Sequence, residues 1–453
     1  MSAASSNARG AAAAAPRSRP RFGTDGVRGV AGTEITAAFA LDLGRAAARV
    51  LGAREAVIGG DSRVSTRMLE AALVAGLAAE GVTVHRLGMV PTPTVAYAAQ
   101  QWGVMGVVVS ASHNPFHDNG IKLFAPGGLK LPDDVESRIE GELAALPPTG
   151  SEVGTVIDSD VERDYLDHIG DVLGDRGLVG LKIVVDGANG AASFLGPEVF
   201  RRAGATVVAI GCEPDGTNIN LRCGATHPAG LAEAVVAHGA DLGLALDGDA
   251  DRLIAVDASG RIVDGDHLMA ILALDLRERG ELRADTVVVT VMTNLGFRLA
   301  MRAQGVNVVE TAVGDRYVLA ALDAGHYSLG GEQSGHVILR DKATTGDGLL
   351  TGLLLADTVG RRGRSLAELA SVMTSLPQVL LNVHLAERRP DLLDRLAADI
   401  AEAEGALGDT GRVLVRPSGT EPVVRVMVEA PTADEASAVA RRLVAAVERV
   451  GAA

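Results

Sequence analysis

The chain has 453 residues, 47% hydrophobic, 22% charged and 3% aromatic, which excludes wholesale disorder and leaves the cores to Ala, Val and Leu. Lys and Arg number 42 against 57 Asp and Glu, and the resulting net charge of −15 argues against nucleic acid or an anionic membrane as partner. Two cysteines exclude a disulfide framework and no apolar run approaches the ~20 residues of a membrane span, so a cytoplasmic protein of about three or four domains is expected.

Residues 1–20 are rich in Ala, Ser and Arg, carry no acid and lack the apolar core of a secretory signal; a disordered extension is expected there. Phe22-Gly23-Thr24-Asp25-Gly26-Val27-Arg28-Gly29 follows, a glycine-rich loop without dinucleotide spacing, in which Arg28 either meets a phosphate or belongs to a structured turn. A pattern then recurs three times. A buried strand (56–62, 181–190, 286–294) leads through a helix to a capping glycine (Gly81, Gly204, Gly305) that opens a second strand, and a further helix leads to a third. Each third strand runs into an unusual loop: Ser110-Ala111-Ser112-His113-Asn114-Pro115, Asp247-Gly248-Asp249-Ala250-Asp251-Arg252 and Gly331-Glu332-Gln333-Ser334-Gly335-His336. Ligands of open α/β sheets bind beyond the carboxyl ends of strands. The repeat therefore predicts an α/β protein of three similar mixed α/β domains, residues 21–160, 161–258 and 259–373, around a central cleft. From 374 to 453 the pattern becomes a smaller C-terminal βαββα domain, with a fourth loop, Arg416-Pro417-Ser418-Gly419-Thr420, and with Thr432 and Glu435 placed to cap the last helix.

Asp247, Asp249 and Asp251 repel one another unless a cation neutralises them, and a hard oxygen-liganded ion, Mg²⁺ in particular, suits the set. An EF-hand is excluded, because its sixth and twelfth positions would fall on Arg252 and Ala258. In the first loop, small residues leave a hydroxyl exposed. A serine there can be a nucleophile or a phosphoryl carrier, with His113 to position a phosphate, or simply a loop serine. Lys122, one of only four lysines, lies in a strand-like segment and can supply charge or shuttle a proton. Glu332 and Ser334, two apart, can share a face that bonds sugar hydroxyls, with His336 as a candidate acid or base. In the fourth loop Gly419 lets backbone N–H groups face an anion, Ser418 and Thr420 donate, Arg416 offers a fork and Arg425 on the returning strand can close the nest. Carrier, metal site, polyol reader and second anion site together point to moving phosphate between two positions of one sugar. Such a substrate calls for a cleft locally lined by arginine within an acidic exterior.

FGTDGVRG, SASHNPFHDNGIK, DGDADR, GEQSGH and RPSGTEP, in this order from Arg21 onward, resemble the α-D-phosphohexomutase family over nearly the whole chain. GEQSGH with Gln333, PDGTNINLRCGATHP (214–228) and ATTGDG (343–348) are similar to its glucosamine branch. The resemblance implies that Ser112 is the phosphoserine and that its phosphate, Asp247, Asp249 and Asp251 bind one Mg²⁺. It implies that Glu332 and Ser334 read the sugar, that Arg416, Ser418, Gly419, Thr420 and Arg425 hold the distal phosphate, and that Lys122 and His336 handle protons beside His113, with Arg28 and Arg252 supporting charge. The implied reaction interconverts glucosamine 6-phosphate and glucosamine 1-phosphate through glucosamine 1,6-bisphosphate. That compound or another hexose 1,6-bisphosphate would be the activator, and the product would feed UDP-N-acetylglucosamine and peptidoglycan synthesis. Action on mannose or glucose phosphates is the alternative; a homo-oligomer and an activating kinase stay open as partners. Ala250 stands where many relatives have glycine, a change that alters no ligand.

Overall fold

The strand–helix repeat closes into three sheets of one plan. In the computed structural model the described residues are 20–452, apart from Thr24, Ser151, Arg388, Pro390 and 418–421. The extension expected over 1–20 therefore falls, but for Pro20, outside them, as do Ser418, Gly419 and Thr420. In each sheet the first strand lies between the second and the third, all parallel, and a fourth turns back antiparallel beside the third. Within the eight-stranded first sheet these four run Thr83–Met89, Glu55–Gly60, Met105–Val109, Asp118–Ala125. The second runs Thr206–Ile210, Lys182–Asp186, Leu242–Leu246, Leu253–Asp257, and the third Asn307–Thr311, Thr286–Thr290, Leu329–Gly331, Val337–Leu339. The apolar runs are continuous because both faces are covered. Ala56, Ile58, Val107 and Val109 enter one core cluster while Val57 and Val108, pointing the other way, enter another.

Each chemically rich loop is thus the turn between a third strand and its antiparallel neighbour, at the same end of each sheet. Gly81, Gly204 and Gly305 have φ of +83°, +93° and +69°, one residue beyond the helix caps, where a side chain would be strained. The second and third sheets share one hydrophobic core. Helix Gly348–Arg362 is buried nearly all round, and its Leu349, Leu353 and Leu355 belong to the same cluster as Tyr165, Phe200 and Leu244 on one side and Met269, Leu272 and Phe297 on the other.

The C-terminal unit is an antiparallel sheet, Gln378–His384, Val423–Glu429, Arg412–Pro417, packed with helices Leu392–Leu407 and Ala433–Ala452. Thr432 Oγ1 accepts from Glu435 N at 3.2 Å, one half of the capping box expected of this pair. Glu429 ties this unit to the third. Its fully buried carboxylate accepts from Arg412 at 3.0 and 3.1 Å, from Gln378 at 2.7 Å and from Leu295 N at 2.8 Å. Asn294 bonds the backbone of Leu376 with both ends of its amide, at 2.9 and 3.0 Å. Glu429→Ala leaves Arg412 without its buried partner and should cost about 3–5 kcal/mol. Denaturant unfolding should show this loss, and limited proteolysis should show faster cutting near residue 376; an unchanged unfolding curve would remove Glu429 from this role.

Candidate active site

The loops of the first two sheets meet at Ser112, and that of the third reaches the acidic turn beside it through His336. This residue is buried, with φ +51°, a left-handed backbone that serine seldom adopts. Its Oγ lies 2.5 Å from Asp247 Oδ2 and 3.4 Å from His113 Nδ1. Ser110 is otherwise engaged: its hydroxyl donates to Asp61 at 2.5 Å and accepts from Ser112 N at 2.9 Å. Ser112 is therefore the hydroxyl of this loop that faces the acidic turn.

Residues 247–252 fold tightly. Ala250 N donates to Asp247 O at 3.0 Å, and Ala250 has φ +58°. Glycine would take that conformation freely; alanine does so at about 1–2 kcal/mol. The turn brings one oxygen from each of Asp247, Asp249 and Asp251 within 4.8 Å of one another. Burial, then the charges of Asp251 and Asp249, push the Asp247 carboxyl well above the usual range. Burial also opposes ionisation of Asp251, yet Lys122, His336 and Arg252 hold it well below that range. Thr92 and Lys122 bond Asp249 Oδ2 at 2.7 and 2.8 Å, while Oδ1 of Asp249 and of Asp251 are buried without a hydrogen-bond partner. Converging carboxylates with orphaned oxygens fit a hard divalent cation.

Lys122 Nζ lies 2.8 Å from Asp249, 3.0 Å from Asp251 and 2.9 Å from Asp25. Burial would discharge it, but these carboxylates keep its pKa well above the ordinary lysine value. Asp25 also binds Arg28 and, at 3.1 Å, Lys130; Lys130 pairs with Asp315. Asp315 lies 3.7 Å from His336 Nε2, and His336 Nδ1 lies 3.7 Å from Asp251. A closed ring of alternating acidic and basic groups, Asp25, Lys122, Asp251, His336, Asp315 and Lys130, therefore joins all three units. Burial, with Arg252 and Arg28 nearby, lowers His113 to about 4, so it is neutral at physiological pH.

The remaining expected residues fall into two groups. Arg252 is near: its N–H donates to Asp247 Oδ1 at 3.2 Å and its guanidinium stands 3.8 Å from Asp251. Glu332 and Ser334 share a face, 3.4 Å apart, in a loop seated on the second sheet through Leu253 N to Gly335 O at 3.0 Å. Arg416 and Arg425 lie apart on the C-terminal sheet, directly opposed across one strand pair. Like charges so placed are unfavourable unless an anion lies between them. Among the described residues no carboxylate pairs with either, and no hydrogen bond or ion pair links them to the Ser112 cluster. The reading of the sequence did not pick out Lys130, Asp315 or Asp25 as site residues. Lysine scarcity was the available signal, since two of only four lysines stand here.

The chain matches, in order, phosphoglucomutase/phosphomannomutase alpha/beta/alpha domain I over residues 19–148, domain II over 163–260, domain III over 264–376 and the C-terminal domain over 380–446. It belongs to the phosphoglucomutase/phosphomannomutase family. A relative from Thermobifida fusca named phosphoglucosamine mutase is 58% identical, covering 93% of this chain and 96% of its own. Another of that name from Streptomyces coelicolor is 57% identical, covering 94% and 98%. The crystal structure of a phosphoglucomutase/phosphomannomutase family protein from Burkholderia thailandensis superposes with a TM-score of 0.81 at 29% identity, covering 94% of this chain and 97% of that one.

A divalent cation at about a hundredfold excess over its Kd should stabilise the protein by about 2.7 kcal/mol, read as a raised thermal midpoint. Asp249→Asn should abolish that rise. A native midpoint indifferent to the cation would contradict the fit.

Proposed function

We propose that this protein interconverts D-glucosamine 6-phosphate and α-D-glucosamine 1-phosphate with Ser112 as phosphoryl carrier. One observation carries the reading: the Ser112 hydroxyl stands 2.5 Å from a carboxylate of the buried aspartate trio, in a chain more than half identical to enzymes named for that reaction. Asp247, Asp249 and Asp251, with the phosphate on Ser112, would hold one Mg²⁺. That ion supplies charge neutralisation to the oxygens of the transferring group.

The rest falls to the chain. Arg28, Lys122 and Arg252 surround the carrier with positive charge, and neutral His113 orients a phosphate oxygen. Glu332 and Ser334 bond the sugar, and Arg416, Ser418, Gly419, Thr420 and Arg425 hold the phosphate at its far end. In the forward half-reaction the bond from Ser112 Oγ to phosphorus breaks as the free sugar hydroxyl bonds to phosphorus, and its proton leaves toward a water, since His336, buried yet raised by Asp251 and Asp315, is already charged. Lys122, charged at rest, balances the serine oxygen as it is released. Glucosamine 1,6-bisphosphate then turns over without leaving and returns its other phosphate to Ser112. The anion nest suits this step because it can hold either phosphate. Escape of the intermediate leaves a bare serine, which glucosamine 1,6-bisphosphate or another hexose 1,6-bisphosphate restores. The product would feed UDP-N-acetylglucosamine and peptidoglycan synthesis in the cytoplasm; no helix among the described residues is long and apolar enough to cross a membrane.

Turnover of glucosamine, glucose and mannose 6-phosphates, measured side by side, should favour glucosamine; preference for either other sugar would assign the activity to the sibling reaction. Ser112→Ala should lower turnover at least on the order of 10³-fold, about 4 kcal/mol of barrier, while retaining substrate binding. Phosphosite mapping should place the phosphate on Ser112, and undiminished turnover in that variant would exclude the carrier role.

A further inference from the structure

The segment 214–228, which resembles the glucosamine branch, holds none of the residues assigned above to sugar, phosphate or cation. Asp186, closing the strand Lys182–Asp186, seats this segment by accepting from Gly224 N at 2.7 Å and Ala188 N at 2.9 Å. Asn220 N donates to Ala188 O at 2.8 Å. Asn220 is thereby pressed, 7% exposed, against the Ser112 loop of the first unit. Its Nδ2 lies 2.9 Å from Ser112 O and 3.1 Å from Asn114 O. Two acceptors demand a donor, so the amide can point only one way. From the first unit itself, Arg63 Nη2 contacts the same two carbonyls at 3.0 and 2.5 Å. The Arg63 side chain is wholly buried and bound to Asp61. Gly248 permits the approach, since a Cβ there would sit 2.4 Å from Ser112 O and 2.8 Å from Asn220 Nδ2.

We infer that Asn220, with Arg63, is a positioning residue for phosphoryl transfer. It holds the backbone of Ser112 in its left-handed form and so keeps Oγ aimed at Asp247. This rests on Ser112 being the carrier. Released from these donors, a serine at φ +51° relaxes toward the ordinary regions and its oxygen swings off line. In-line transfer tolerates little displacement; about 1 Å of misplacement costs on the order of 10²-fold. Both side chains are committed to the two carbonyls and, for Arg63, to Asp61, and neither belongs to the residues assigned to the sugar or the distal phosphate, so substrate affinity should be spared.

Two variants of the full chain, phosphorylated on Ser112, test this. Asn220→Gly removes the amide while suiting the residue's own φ of +57°. Asn220→Asp keeps size and backbone tolerance but sets oxygens against the two carbonyls. Both kcat and the single-turnover rate of transfer from phosphoserine should fall on the order of 10- to 100-fold, more for Asp than for Gly. KM should stay within about twofold, and the thermal midpoint of the Gly variant should stay close to that of the unaltered chain. Should the Asp variant not fold, the Gly variant decides alone. Normal single turnover in Asn220→Gly, or a loss appearing only in KM, overturns the inference. Full turnover in Ser112→Ala would instead refute the carrier beneath it, so the two failures are told apart.

Discussion

Gathering negative charge away from water is the constraint on which this molecule turns. Three carboxylates within 4.8 Å, all buried, are tolerable only if positive charge is delivered to them from outside their own loop. The chain delivers it from other units, Lys122 from the first and His336 from the third, and Arg252 adds to it at the edge of the turn itself. The fold can be understood as the apparatus that makes such delivery possible. Equivalent strands in three sheets end at one place, so that loops far apart in sequence share a few ångströms.

The distribution of charge around the trio is uneven, and that is informative. Lys122 satisfies one oxygen of Asp249 and one of Asp251, Thr92 supports Asp249, and Oδ1 of each of these two has no protein donor. A site meant only to be stable would set protein donors against both oxygens of each carboxylate. The same uneven economy shows in the backbone, where Ser112 and Ala250 both adopt left-handed conformations on facing turns. Strain and unmet polarity fall together where the two loops touch.

Much of this was legible in the residues. Strand–helix–glycine periodicity exposed the three sheets, because a fully buried parallel strand leaves an uninterrupted apolar run and a helix ending in a left-handed residue leaves glycine. Alternating aspartates exposed the buried acidic turn, because their repulsion needs no structure to be noticed. Asn220 and Arg63 were invisible for the opposite reason. Their partners are backbone carbonyls, which every residue has, and no side-chain pattern records a bond to one. Lys130 and Asp315 were missed because each looks like an ordinary surface charge until the third unit is brought against the first. The seating of Gln333 was likewise out of reach: its amide stands 3.4 Å from Asp264, the cap of helix Gly265–Glu278.

The helix Gly348–Arg362, whose apolar surface is divided between the second and third units, bears on how the chain comes into being. Emerging from the ribosome, Tyr165, Phe200 and Leu244 lack the part of their cover that this helix supplies until it follows them out. At about 5–20 residues per second the interval after the second sheet is made is on the order of ten seconds. During it a sticky half-built interior waits for its lid, and demand for chaperone shelter in the cell should be concentrated in that stretch of translation.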